Sequence, residues 1–401
     1  MKLKIAFLLV TTSIILSTIT IPVKAQETST SKWRVIEVDA DGGSGPIGVD
    51  SNGIPHIVYM SAWNGATYAT FDGTSWDYEI IRAGPWYPRS LAIDGNDAPH
   101  ISFVVAEMGT THCGYGNKTS ANWNFTYVNN TIECFANSLD VNEDGKDVQV
   151  LYATVDGLNY AKLVNYSFVN ETVDTTSVWK DSYVNSDKAI KIGKNGYPQI
   201  AYFVYETSTD RVIDYANFEG SVWNKTEIYR AKQGGGSIAI DLDSNSTPHI
   251  VYGTDHNAEY STWNGSDWIN ETAVGSGYDT SIDLDNNQMP HISCIDHHDT
   301  NHAILKYAYK NKTIWVTESI DIANNVSEQM KWTSIAMDKY GYAHIAYTKK
   351  NSGLWYATNK PVVNEITTIL GPSIILISLF IVAMKRKKKI DKNDGLHMAW
   401  E

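Results

Sequence analysis

The chain reads as an all-β, seven-bladed β-propeller of four-stranded blades. Three features predict it: seven copies of one short motif, period-two alternation between turn signals around each copy, and partial repeats at the two ends of the array that complete one another. The motif is His56-Ile57-Val58-Tyr59. It recurs as His100-Ile101-Ser102-Phe103, Gln149-Val150-Leu151-Tyr152, Gln199-Ile200-Ala201-Tyr202, His249-Ile250-Val251-Tyr252, His291-Ile292-Ser293-Cys294 and His344-Ile345-Ala346-Tyr347. Successive copies lie 42 to 53 residues apart.

Upstream of each copy lies an alternating segment such as Ser237-Ile238-Ala239-Ile240-Asp241, then a turn rich in Asp, Asn, Gly and Ser. Downstream comes a segment such as Leu354-Trp355-Tyr356-Ala357, and after a short turn a Trp: Trp76, Trp123, Trp179, Trp223, Trp268 or Trp315. Four short strands per unit of this length are the signature of propeller blades. Trp33 to Val38 resembles a Trp-led fourth strand with no repeat before it, while the seventh repeat stops after its third strand. Joining the two closes the ring and removes two exposed sheet edges.

The pattern Asp-x-x-Gly-x-Pro-His-Ile-x-Tyr, then Leu-x-Tyr-Ala, then Gly-x-x-Trp resembles propeller repeats common in archaeal and bacterial cell-surface proteins. The turn Ser261-x-x-Asn264-Gly265-x-x-Trp268 is distantly similar to the Asp-box hairpin of sialidase-type propellers, with Trp263 where that box carries its Asp. The first resemblance implies a surface propeller; the second implies a sialidase-like glycoside hydrolase as the alternative function.

The ends set the expected organisation: a signal peptide over 1–25, an extracellular propeller over 26–365, a transmembrane helix over 366–384 and a cytoplasmic basic tail over 385–401. Lys2 and Lys4 precede an apolar run, and Val23-Lys24-Ala25 offers a cleavage site. Ile366 to Met384 carries no charge and would span roughly 28 Å as a helix. Lys385-Arg386-Lys387-Lys388-Lys389 follows, which keeps that end cytoplasmic and predicts a single-pass type I protein with its N-terminus outside. A sorting signal whose tail is removed is the competing reading of this end. The chain has 32 basic and 45 acidic residues, a formal net charge of −13, which excludes nucleic acid as a partner.

Three cysteines allow one internal disulfide, for which Cys113 and Cys134 are the candidates, leaving Cys294. Eleven Asn-x-Ser/Thr acceptors fit an exported glycoprotein: Asn117, Asn124, Asn129, Asn165, Asn170, Asn224, Asn245, Asn264, Asn270, Asn311 and Asn325. Most fall on turns between third and fourth strands or on outer strands, so sugars would coat the rim and bottom.

Loops from second to third strand and from one blade to the next share one face, here the top. It collects the candidate ligand-binding residues Trp63, Trp86, Tyr87, Arg89, Tyr278 and Trp332, aromatic and polar groups of the kind that recognise sugars or peptides. Asp255, His256, Asp296, His297 and His298 offer imidazole and carboxylate on adjacent loops, a candidate divalent-metal set beside the plainer reading of solvated loop residues. No cofactor is otherwise implied. The histidine recurring in five blades reads as a packing or hydrogen-bonding residue of each blade, since five copies around a ring cannot meet at one ion. The expected function is non-enzymatic recognition or adhesion, or an envelope role, the ligand being a cell-surface glycan or protein. A sialidase-like hydrolase needs converging carboxylates and an arginine cluster, and between the two apolar ends only Arg34, Arg82, Arg89, Arg211 and Arg230 are present.

Overall fold

The computed structural model describes residues 32–107, 109–177, 187–207, 210–232, 237–254, 256–299, 302–323 and 329–361. The expected signal peptide, transmembrane helix and basic tail lie outside these residues. Among the described residues, 28 strands form seven antiparallel four-stranded sheets, the blades of a propeller. The innermost strands are Ile47–Val49, Trp86–Ile93, Cys134–Val141, Ile190–Ile192, Ile238–Leu242, Tyr278–Leu284 and Met330–Met337. Arg34–Asp39 pairs with Gly353–Thr358 as the outer strand of blade 7, so the ring closes by strand exchange between the ends of the array.

The repeated motif builds one hydrogen-bonded relay per blade. In blade 7, the Asp338 Oδ1 accepts the backbone N–H groups of Tyr340 and Tyr342, both at 2.9 Å, and so closes the turn. Its Oδ2 stands 3.4 Å from His344 Nε2, while His344 Nδ1 and the Tyr356 hydroxyl on the third strand are 2.7 Å apart. The Asp–His–Tyr set recurs as Asp50, His56 and Tyr68; Asp94, His100 and Tyr115; and Asp285, His291 and Tyr307. In blade 5, Asp243 closes the same turn and His249 meets Tyr260 at 2.6 Å. Blade 4 has Gln199 instead, whose Oε1 accepts the Tyr215 hydroxyl at 2.6 Å. Burial holds His56, His100, His249 and His344 below the usual imidazole pKa, so each serves as a neutral ring.

The same tyrosine also joins neighbouring blades. Its ring receives, edge to face, the Trp that leads the fourth strand of the next blade: Trp76 on Tyr356, Trp123 on Tyr68, Trp223 on Tyr160, Trp268 on Tyr215, Trp315 on Tyr260 and Trp33 on Tyr307. Centroids are 4.9 to 5.5 Å apart, a favourable aromatic geometry. Blade 3 departs from the sequence expectation. Its fourth strand is Ser167–Asp174, and Phe168 meets Tyr115 in the Trp position; Trp179 lies beyond that strand, outside the described residues. Cys113 and Cys134 are bonded across the junction of blades 2 and 3, with Cα atoms 5.6 Å apart. Cys294 is buried and its thiol is pushed up to about 12 by that burial.

Candidate functional site

The top mouth of the central channel is built on a sealed floor. Asp187 and Lys188 enter from blade 4 and cross the channel. The hydroxyls of Ser90 and Ser138 donate to the Asp187 carbonyl at 2.5 and 2.8 Å, and Ser334 Oγ donates to its carboxylate at 2.5 Å. Lys188 Nζ donates to Asp283 at 3.0 Å and to the backbone carbonyls of Ile282 and Ile335. One dipeptide thus ties blade 4 to blades 2, 3, 6 and 7.

Below it, Lys191 lies 3.2 Å from Asp241 and 3.8 Å from Asp140. Burial opposes the Lys191 charge, but the carboxylates of Asp140, Asp241 and Asp283 outweigh it and raise its pKa. Three of these channel residues also couple adjacent blades: Asp140 accepts the Ile192 N–H, Asp241 that of Leu284 and Asp283 that of Met337. Both lysines here are paired with carboxylates, so this inner space, about 170 Å³, is a brace rather than an open receptor.

Above the floor, the inner strands lose their regularity. Register shifts fall between Pro88 and Ser90, Cys134 and Ala136, Tyr278 and Ser281, and Lys331 and Thr333. Such bulges re-aim side chains. Arg89 is the extra residue in blade 2 and Trp332 the extra residue in blade 7. Trp332 has φ 56° and Asp279 φ 39°, left-handed backbone that Asp tolerates better than most residues but that is uncommon for a bulky ring. The two residues hold each other, the backbone N–H of Trp332 donating to Asp279 Oδ2 at 3.2 Å. His297 Nε2 stands 4.0 Å from the same carboxylate, and burial holds its pKa down.

The six candidate ligand-binding residues separate in space. Along Trp86–Ile93, Trp86 and Pro88 are buried while Tyr87 and Arg89 are exposed. Trp86 packs 4.4 Å from Phe103 with the Arg82 guanidinium 4.5 Å above its ring. It is therefore a core ring of blade 2, not a stacking surface, because the strand's alternation turns it inward. Trp332 is half-buried against blade 1, and Tyr278 is half-buried beside His297 with ring centroids 6.0 Å apart. Trp63 is 82 % exposed and pinned by an indole N–H bond of 2.9 Å to Asp41. Tyr87 and Arg89 remain open at the mouth. The Arg89 guanidinium reaches solvent yet is enclosed by protein on most sides, and this loss of water lowers its pKa. It has no hydrogen bond or ion pair among the described residues.

Blade 1 leaves room beside them. Its chain enters through Gly42-Gly43-Ser44-Gly45, and a Cβ at Gly45 would lie 2.8 Å from the Ile57 side chain. This stretch must hug the blade and raises no large side chain between Trp332 and Tyr87.

Only part of the expected metal set falls among the described residues. Asp296 is buried and paired with Lys306 at 2.7 Å, and His256 is exposed. Asp255 and the His298 side chain lie outside the described residues, among which no group of three or more His, Cys, Asp or Glu is placed to hold an ion. Of the glycan acceptors, Asn124, Asn165, Asn170, Asn224, Asn245, Asn264, Asn270 and Asn311 are exposed, and Asn117 and Asn129 half-buried; Asn325 lies outside the described residues. The amide of Asn129 donates to the Tyr152 hydroxyl at 3.3 Å.

No family model matches the chain, and no curated protein matches it. Among solved structures it is similar to an ulvan lyase of polysaccharide lyase family PL25 bound to -[GlcA(1-4)Rha3S]-, at 14% identity and a TM-score of 0.55 over 80% of this chain and 95% of that one. It also matches a Hadza microbial sialidase, at 8% identity and a TM-score of 0.45 over 80% of this chain and 66% of that one. The fucose-specific lectin from Aleuria aurantia is a third, at 11% and 0.47 over 69% and 95%. At these identities the likeness is one of fold: the chain is a seven-bladed β-propeller with structural neighbours among lyase, sialidase and lectin propellers.

Proposed function

We propose that this is a non-enzymatic, membrane-anchored recognition module of the cell surface whose top face binds a glycan bearing an anionic group. The observation that carries the reading is Arg89, an open guanidinium without a counter-charge among the described residues, beside the exposed Tyr87 ring and above a sealed floor. In a chain of net charge −13, an enclosed arginine left unpaired is costly and favours an incoming carboxylate or sulfate. Tyr87 supplies a ring face for a sugar.

The hydrolase alternative needs several arginines converging on one group. The others are engaged elsewhere: Arg34 over Phe71, Arg82 over Trp86, Arg211 over Tyr205 and Arg230 with Glu206 and Glu227. The last described residues leave blade 7 on the bottom face, where Lys360 Nζ donates to the Gly53 carbonyl at 2.8 Å. A short tether from there to a membrane would turn the top outward.

A glycan array probed with the full-length protein, with and without EDTA, tests this reading. Binding to carboxylated or sulfated saccharides, lost in Arg89→Ala, is the expected result. Loss in EDTA would assign a divalent ion to the His297 side of the mouth. A blank array, or anionic hits that survive Arg89→Ala, overturns it.

A further inference from the structure

On the opposite face, the grooves between blades are not all built alike. Where blades 1 and 2 meet, Glu79 accepts the Trp123 indole N–H at 3.2 Å and pairs with Lys118. Blades 5 and 6 repeat the arrangement: Glu271 accepts the Trp315 N–H at 3.0 Å and pairs with Lys310 at 2.7 Å. Between blades 6 and 7, Glu318 accepts the Trp33 N–H at 2.9 Å. In each case the glutamate stands opposite the relay tyrosine on the neighbouring strand, as Glu79 does Tyr68 and Glu271 does Tyr260. The lysine stands opposite the Trp, as Lys118 does Trp123. The brace fills the groove.

Between blades 4 and 5 both members are replaced. Thr226 occupies the glutamate position opposite Tyr215, and Trp263 occupies the lysine position opposite Trp268. The groove opens into a cavity of about 540 Å³, within the range of small-molecule sites. Tyr215, Trp263 and Trp268 form its aromatic wall, with ring centroids 5.1 and 5.7 Å from Trp268. Asn217, Thr226 and Thr247 add amide and hydroxyl groups. The indole N–H groups of Trp263 and Trp268 have no partner among the described residues, whereas Trp123 and Trp315 are satisfied. No lining residue carries a charge, in a chain that is 19% charged.

We infer that this cleft binds a neutral pyranose, its ring stacked on Trp263 and its hydroxyls received by the indole N–H groups and the Asn217 amide. Aromatic faces with amides and hydroxyls, and no ion, suit an uncharged saccharide and give nothing to an anion. The sugar has two possible sources of the same chemistry, because the acceptors Asn245 and Asn264 stand at the rim of the cleft. It is either a free saccharide or a residue of the chain's own glycan. The inference does not depend on the top-face reading.

The test is tryptophan fluorescence of the full-length protein titrated with methyl glycosides of glucose, mannose, galactose and fucose. The protein is made once with N-glycosylation and once in a host without it. A saturable response in the unglycosylated chain is expected, weakened roughly tenfold or more in Trp263→Ala. The double variant Thr226→Glu/Trp263→Lys, which rebuilds the Glu–Lys brace, should abolish it in a folded protein. A response in both preparations assigns the cleft to a free saccharide; a response only in the unglycosylated one assigns it to the chain's own glycan. No saturable response in the unglycosylated chain overturns the inference. So does a response that survives the double variant, or one lost in Arg89→Ala, which would place binding on the other face.

Discussion

The two faces of this propeller obey different rules. Toward the bottom, five blades repeat the same histidine–tyrosine contact, and the two without histidine carry Gln149 and Gln199 in its place. At the top the blades diverge: four inner strands bulge, blade 1 enters through Gly42-Gly43-Ser44-Gly45, and blade 4 sends a dipeptide across the channel. A contact made in five blades of seven is scaffolding, and its residues are set by their neighbours. Residues that break the repeat are free of that constraint, and among them stand Arg89 on the top and Trp263 on the bottom.

Removing a relay histidine tests the scaffold side most severely. His344 is fully buried between Asp338 and the Tyr356 hydroxyl. His344→Ala should destabilise the protein by about 3 kcal/mol, from lost packing and two polar groups left unsatisfied, as measured by denaturant unfolding. A cost near zero would mean the repeated motif is not what holds the blades. The channel plug comes next. Asp187→Ala removes a side chain that Ser334 bonds but leaves the backbone bonds from Ser90 and Ser138, so about 2 kcal/mol is expected. A much larger loss would put the plug, and not the relays, at the centre of the fold.

Smallest per residue is the dependence on pH. Burial lowers the folded pKa of His56, His100, His249 and His344 from 6.5. As pH falls through 6.5 the unfolded chain takes up protons that the folded chain still refuses. Stability is therefore full above that value and declines toward pH 5. Thermal unfolding across this window checks the sign. A melting temperature that rises on acidification would show that the relay histidines are charged in the folded state.

The repeat was legible because its spacing is short and its punctuation regular: the blade number, the shared role of the histidines and closure by the Trp33 segment all follow from it. Less could be read where one residue alters the phase. Trp86 and Tyr87 are adjacent aromatic residues on one loop in the sequence, and only the strand that begins there decides which is buried. Phe168 replaced a landmark tryptophan and moved the fourth strand of blade 3. The plug was invisible, since its bonds join residues 49, 97 and 147 positions apart with no motif to mark them. The open cleft is written in the sequence as Thr226 and Trp263, but it shows only once the repeats are aligned on the register of their strands.

The exchange of strands in blade 7 also sets an order of events in time. Arg34 pairs with Thr358, so the first strand of the array waits for the last. During synthesis six blades can form in turn, each on its predecessor, but the seventh cannot be completed until Gly353–Thr358 has emerged. Throughout that interval the growing chain carries two unpaired strand edges, the state in which β-proteins associate with one another. Ring closure is thus a late step with a long reach along the chain, and the half-made molecule is the form most in need of protection.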